Sequence, residues 1–154
     1  MAKIRVTRRF HFEMAHALWG YDGLCSNIHG HSYQLDITVS GETGHCPGDP
    51  KDGMVIDFHV LKSLVKTNIT DRLDHALMMN SLNPALNSEI LQQITGRIVQ
   101  VDFQPTTENL IAHIAQLLIP LLPPGISLFS VRLFETDSSY AEWFAADNQK
   151  EPSE

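Results

Sequence analysis

The chain is short of three things. Only two of its 154 residues are cysteine, Cys25 and Cys46, whereas a small secreted scaffold stapled by disulfides carries a larger even set. No stretch approaches the roughly 18 consecutive apolar residues of a membrane span, and the N-terminal MAKIRVTRRF lacks the apolar core of a secretory leader. The expectation is a cytoplasmic protein in which each cysteine needs its own explanation. Basic residues are also scarce: 11 Lys and Arg, scattered, face 18 Asp and Glu, for a net charge of −7. A nucleic-acid groove needs clustered cations, so neither nucleic acid nor membrane is an expected partner.

What is present fits one globular domain. With 43% hydrophobic and 19% charged residues the chain can bury a real core. The expected domain covers residues 1–146, followed by a polar, disordered tail at 147–154, and no internal repeat or linker interrupts it.

Hydrophobic periodicity supplies the elements. From Ile4 to His16 the even positions read Ile4, Val6, Arg8, Phe10, Phe12, Met14 and His16, opposite a largely polar odd set. A second segment reads His29, His31, Tyr33, Leu35, Ile37 and Val39 at odd positions, opposite Ser32, Gln34, Asp36, Thr38 and Ser40. A period of two with one apolar face marks half-buried strands. Beyond a Gly/Pro/Asp-rich loop from Glu42 to Gly53, Asp57 caps a helix with a stripe of Phe58, Leu61, Leu64, Val65 and Ile69. Ser88–Thr95 reads as a short helix, and Arg97–Phe103 alternates like an edge strand. Thr106 or Thr107 caps the next helix, whose stripe is Leu110, Ile111, Ile114, Leu117 and Leu118. Two strands close the domain, one with Phe129, Val131, Leu133 and Glu135 on a single face, the other from Tyr140 to Phe144.

The main order, strand, strand, helix, helix, strand, strand, predicts an α+β fold. It is a four-stranded antiparallel sheet with two main helices packed on one face, in ββααββ order. The open edges of so small a sheet favour association into rings.

Antiparallel pairing of the first two strands would return the chain through Ala17–Ile28 and set His16 beside His29 and His31. Three neutral imidazoles then converge on one ion. With no obvious fourth protein ligand, three histidines suit a catalytic zinc that keeps one position for water or substrate, although copper and iron also accept imidazole nitrogen. Glu135 ends an apolar strand face, a costly place for a carboxylate unless it has a partner.

Taken together, these pieces resemble one family. Phe12–His16, Cys25-Ser-Asn-Ile-His29-Gly-His31-Ser-Tyr33, Gly53-Met-Val-Ile-Asp57-Phe58, Leu73-Asp74-His75, Pro105-Thr106-Thr107-Glu108-Asn109-Leu110 and Phe134-Glu135-Thr136 are similar to the 6-pyruvoyl-tetrahydropterin and 6-carboxy-tetrahydropterin synthases. The motifs run in the family's order over nearly the whole domain.

The resemblance implies a tunnelling fold, in which subunits join into a trimer or a dimer of trimers with active sites at the interfaces. It also implies that His16, His29 and His31 hold Zn2+, that Cys25 is the catalytic base, and that Asp74 and His75 complete a proton-transfer set. Glu135 matches the family's pterin-anchoring glutamate, and Thr106, Thr107 and Glu108 match the lining of the pterin pocket. A carboxylate can accept a pterin's amino group and ring N–H as a bidentate pair; the competing partner for Glu135 is an arginine such as Arg132. A thiol four residues before a metal ligand is a candidate for a stabilised thiolate.

The implied substrate is 7,8-dihydroneopterin triphosphate. One branch of the family stops at 6-pyruvoyl-tetrahydropterin. The other cleaves the side chain, releases acetaldehyde, and leaves 6-carboxy-tetrahydropterin, a precursor of queuosine-type deazapurines. The Cys-x3-His-Gly-His spacing resembles the carboxy branch.

Two features depart from the pattern. The family motif usually runs Leu-Asp-His-x-x-Leu-Asn, whereas this chain has Met78, Met79 and then Asn80, and the segment up to Thr106 is long. Lys51, Arg72, Arg97 and Arg8-Arg9 are the candidates to meet a triphosphate, and His45-Cys46 is a candidate second metal pair in a loop. A zinc hydrolase using the same histidines, and a non-catalytic pterin-binding protein, are the alternatives from other classes.

Overall fold

The first two strands form a long hairpin ladder. In the computed structural model, which describes residues 2–149, β1 (Lys3–Ala17) and β2 (His29–Glu42) pair antiparallel from Lys3 opposite Glu42 to His16 opposite His29. The expected alternation holds along the second half of β1 and the first half of β2, whereas Asp36 and Ser40 on the polar face of β2 are also buried. Phe10, Phe12, Met14 and His16 are buried on β1, as are Tyr33, Leu35, Ile37 and Val39 on β2.

Six strands make one sheet, in the order β4-β3-β1-β2-β5-β6, which corrects the four-stranded expectation. The strands beyond those four are β3 (Ala76–Asn80), parallel to β1, and β4 (Ile98–Val101), parallel to β3 at the sheet edge, where Arg97–Phe103 reads as an edge strand. Every residue of β3 is buried, because Met78 faces one core while Leu77 and Met79 face another. A strand covered on both faces reads as a continuous apolar run rather than an alternation. The order is therefore more elaborate than ββααββ: two further strands and several short helical segments stand with the two main helices between β2 and the final hairpin.

Both main helices lie on the face that carries His16. Helix α1 (Phe58–Val65) starts where Asp57 accepts the His59 N–H at 2.7 Å. It runs on through a wide π turn, Lys66–Thr70, into the short α2 (Asp71–Leu73). Leu61, Val65, Ile69 and Leu73 are buried, whereas Phe58 at the helix entrance is 46% exposed. Helix α4 (Thr107–Leu118) buries Leu110, Ile111, Ile114 and Leu118 in the same cluster as α1 and the β1/β2 residues, while Leu117 lies at its margin. Burial of each such side chain contributes about 1.5–3 kcal/mol. The short α3 (Glu89–Ile94), which falls within the Ser88–Thr95 stretch read as a short helix and is capped by Ser88, packs Leu91 against Leu77, Met79 and Leu86 on the opposite face.

The closing hairpin is β5 (Ser127–Thr136) with β6 (Ser139–Phe144). A bulge against Thr38/Val39 shifts the β5 register, so that Leu128 rather than Phe129 enters the core. Phe129 turns out beneath the Arg5 guanidinium, 3.7 Å from its ring centre. Past the bulge Val131 and Leu133 resume the inward alternation, and Glu135 continues it toward the histidines.

Asp147 and Asn148 of the expected tail lie in a 3-10 turn, Ala145–Asn148, and residues 150–154 lie outside the described residues. Among the described residues, no helix is long and apolar enough to cross a membrane.

Candidate metal centre

The hairpin register brings the three histidines together. His16 faces His29 directly across the ladder, and His31 lies one inward position along. The ring centres are 4.5 Å (His16–His29), 5.2 Å (His16–His31) and 5.1 Å (His29–His31) apart. Glu135 arrives from β5 as a fourth donor, and one ligand atom from each of His16, His29, His31 and Glu135 lies within 4.8 Å of all the others. Its nearness to the histidines is not legible in the sequence, which marks Glu135 as a carboxylate needing a partner and, by resemblance, as a pterin anchor.

The donor chemistry fits a cation. His16 Nδ1 is 2.7 Å from the Pro105 carbonyl oxygen, and His29 Nδ1 is 2.8 Å from that of Asn27. A carbonyl can only accept, so both rings carry their proton on Nδ1 and turn a lone pair outward on Nε2. Those two Nε2 atoms face each other at 3.1 Å, which is repulsive unless a proton or a metal ion lies between them. His31 Nε2 is buried without a hydrogen bond; it comes within 2.8 Å of Glu135 Oε1 but out of alignment. An Nδ1–H held by a main-chain carbonyl is the outer-shell arrangement of a metal-bound histidine. Burial pushes the His16 pKa down against the pull of the Pro105 carbonyl, and the neighbouring histidines push it the same way. The neutral ring is the ligating form.

Of the other predicted residues, Thr107 is the one that a hydrogen bond joins to this cluster among the described residues. Thr106 is the cap of α4, its Oγ1 accepting the Asn109 N–H at 3.3 Å. Thr107, which is buried, donates instead to Glu135 Oε2 at 2.7 Å. Glu108 stands exposed in the first turn of α4. Arg132, the competing partner for Glu135, is occupied by Glu142 through a 2.8 Å hydrogen bond.

Asp74 and His75 form a local pair at the mouth of β3. Asp74 Oδ1 accepts the Glu13 main-chain N–H at 2.8 Å and lies 3.1 Å from His75 Nδ1. The His75 N–H donates to the Glu13 carbonyl at 2.6 Å, so β1 grips both residues. His75 has φ of +60°, a left-handed conformation uncommon for a residue with a side chain. Its imidazole is 78% exposed and lines a 320 Å³ groove with Glu13, His31 and Ser32. Cys25 lies half-buried in a 3-10 turn, Leu24–Ser26. Among the described residues, no hydrogen bond or ion pair joins it to Asp74 or His75.

The Glu13 hydrogen bond, assisted by His75 and Arg97, holds the Asp74 carboxyl below the usual carboxylate range, against a smaller opposing effect of burial. A depressed folded-state pKa contributes stability that is present above the unfolded value and is lost as pH falls through the folded one. The urea midpoint of Asp74→Asn should therefore lie below that of the parent at pH 7. The two midpoints should converge as the pH is taken below the carboxylate range, and a gap that widens in acid would contradict the assignment.

Other candidates do not assemble. Arg9 forms a two-pronged pair with Asp36 at 2.7 and 2.9 Å, and Arg97 donates to the Asp71 carbonyl. His45 and Cys46 are exposed, with His45 Nδ1 3.8 Å from Asp52, and they belong to no cluster of three ligands among the described residues. A 610 Å³ cleft between α4 and the α1–α2 segment, walled by Ile69, Leu73, Met78, Val101, Phe103 and Ile114, is lined by Arg72 of the triphosphate candidates but by none of the residues expected to hold metal, catalyse or bind the pterin.

Comparison with known proteins places the chain in a family. The family model for 6-pyruvoyl tetrahydropterin synthase matches residues 5–146. The chain is 36% identical over 141 residues to the 6-carboxy-5,6,7,8-tetrahydropterin synthase of Haemophilus influenzae, covering 90% of this chain and 97% of that one. It is 31% identical over 147 residues to the 6-pyruvoyl tetrahydrobiopterin synthase of Pongo abelii, covering 88% and 87%. The crystal structure of an uncharacterized protein from Wolinella succinogenes has the same fold, with a TM-score of 0.77 at 20% identity over 94% of this chain and 99% of that one. The chain belongs to the 6-pyruvoyl tetrahydropterin synthase family.

Proposed function

We propose that the chain is a zinc-dependent lyase acting on 7,8-dihydroneopterin triphosphate. Its products are 6-carboxy-5,6,7,8-tetrahydropterin, acetaldehyde and triphosphate, with water consumed. The observation that carries the reading is the convergence of three imidazole Nε2 atoms, two of them oriented by main-chain carbonyls and the third buried without a hydrogen bond. Bound there, zinc would supply Lewis-acid polarisation that makes a substrate hydroxyl more acidic.

The chain's own groups supply the rest. Glu135, steadied by Thr107, accepts the pterin's amino group and ring N–H. Cys25 takes the proton from the side-chain carbon next to the pterin, and His75, oriented by Asp74, moves protons to and from the side-chain oxygens. Elimination expels triphosphate. The four-residue step from Cys25 to His29 and the Haemophilus relative favour the carboxy product over 6-pyruvoyl-tetrahydropterin.

The reading includes assembly into a trimer or dimer of trimers. Strands β4 and β6 lie at the two ends of the sheet, and among the described residues no hydrogen bond joins Cys25 to the Asp74–His75 pair, so a neighbouring subunit would complete the set.

Incubation of zinc-loaded protein with 7,8-dihydroneopterin triphosphate, with pterins identified by mass and acetaldehyde assayed in parallel, tests the reaction. Carboxy-pterin with equimolar acetaldehyde is expected. Pyruvoyl-pterin without acetaldehyde would move the chain to the other branch, and no turnover would overturn the enzyme reading. Full turnover by Cys25→Ala would favour metal-bound hydroxide as nucleophile, the hydrolase alternative.

A further inference from the structure

The loop that carries Cys25 is folded on itself but poorly seated. Leu18 N–H donates to the Cys25 carbonyl at 2.9 Å, Ser26 Oγ to Gly23 at 2.8 Å and Asn27 Nδ2 to Leu24 at 3.0 Å. These bonds shape the loop without placing it. Nothing in its 3-10 turn is buried, and Leu24 is 89% exposed, so packing does not place it either.

One side chain does. Gln104 Oε1 accepts the Trp19 main-chain N–H at 2.9 Å, and Gln104 Nε2 donates to the Trp19 carbonyl at 2.6 Å. The amide thus pairs with Trp19 much as a neighbouring strand would. Among the described residues these are the only hydrogen bonds from the Leu18–Ile28 loop to an element distant in sequence.

Gln104 is itself held: its carbonyl accepts Asn109 Nδ2 at 2.9 Å and the Thr106 N–H at 2.7 Å. The next residues reach the rest of the site. Pro105 orients His16, Thr106 caps α4, and Thr107 grips Glu135. Four consecutive residues therefore tie the cysteine loop, a metal-ligating histidine, the helix and the anchoring carboxylate into one frame.

We infer that Gln104 is a positioning residue that registers the Cys25 loop against the metal centre. The inference rests on the reading of Cys25 as the base that takes the substrate proton. Displacing a reacting group by about 1 Å can cost on the order of a hundredfold in rate. Loss of Gln104 therefore lowers kcat, leaving the histidines and Glu135 in place.

The test uses full-length, zinc-loaded Gln104→Ala and Gln104→Glu. The Glu variant keeps an acceptor for Trp19 N–H and sets an oxygen against the Trp19 carbonyl. Iodoacetamide labelling of Cys25, read by peptide mass against the exposed Cys46 as internal standard, should change by about threefold or more in both as the loop is released. Turnover should fall by about tenfold to a hundredfold, with KM and zinc content near those of the parent. Unchanged labelling and kcat would overturn the inference, as would a loss of kcat that merely follows a loss of zinc. If Cys25→Ala proves fully active, the catalytic reading fails on its own, and the labelling ratio still decides whether Gln104 holds the loop.

Discussion

His31→Ala protein, purified without chelator, should carry almost none of the metal bound by the parent and should turn over at a rate lower by on the order of a thousandfold or more. His31 is the cleanest of the three proposed ligands to remove. His16 is 2% exposed and packs into the core, so its loss would confound coordination with a cavity. The His31 side chain is 19% exposed, and its Nε2 is buried without a hydrogen bond. Truncating it deletes a polar atom that the metal-free protein does not satisfy, so metal-free variant and parent should melt at similar temperatures. Because a ligand that binds only the folded state stabilises it by mass action, added zinc should raise the melting temperature of the parent and leave the variant unmoved. Metal analysis alongside these melts is the check. Stoichiometric zinc on the variant would remove His31 from the ligand set.

The histidines could be read from the sequence because β1 and β2 each have a wet face and a dry one. A strict period of two assigned His16, His29 and His31 to the dry face, and antiparallel pairing across one connecting loop set them at the same end of the hairpin. The same logic missed β3, which has two dry faces and hence no alternation. It misplaced Phe129, because a bulge against Thr38/Val39 interrupts the period without leaving a mark in residue type. The entry of Glu135 into the cluster depends on the pairing of β2 with β5, strands separated by most of the chain, and register at that range is set by packing rather than by local pattern. The carbonyls of Pro105 and Asn27 and the reach of Gln104 were illegible for a simpler reason: a main-chain acceptor has no letter of its own. The adjacency of Gln104-Pro105 to the Thr106-Thr107-Glu108 motif was the one available hint.

Glu135 has two possible employers in this geometry, and one substitution separates them. It lies close enough to the histidines to count as a fourth metal donor, yet Thr107 holds its other oxygen at 2.7 Å, as expected of a carboxylate kept oriented for a second task. If Glu135 anchors the pterin, Glu135→Gln puts an amide N–H where the substrate presents N–H donors of its own. It also removes the charge that strengthens both bonds. Hydrogen bonds to a charged group contribute about 1.5–3 kcal/mol each. KM should accordingly rise by on the order of a hundredfold, with zinc content near that of the parent. A closed four-ligand site would instead be structural, and the same substitution would then lower zinc content and turnover together. Measuring metal stoichiometry and KM on one preparation decides the matter. Retained zinc with a raised KM leaves three histidines on the metal and a coordination position open to the substrate.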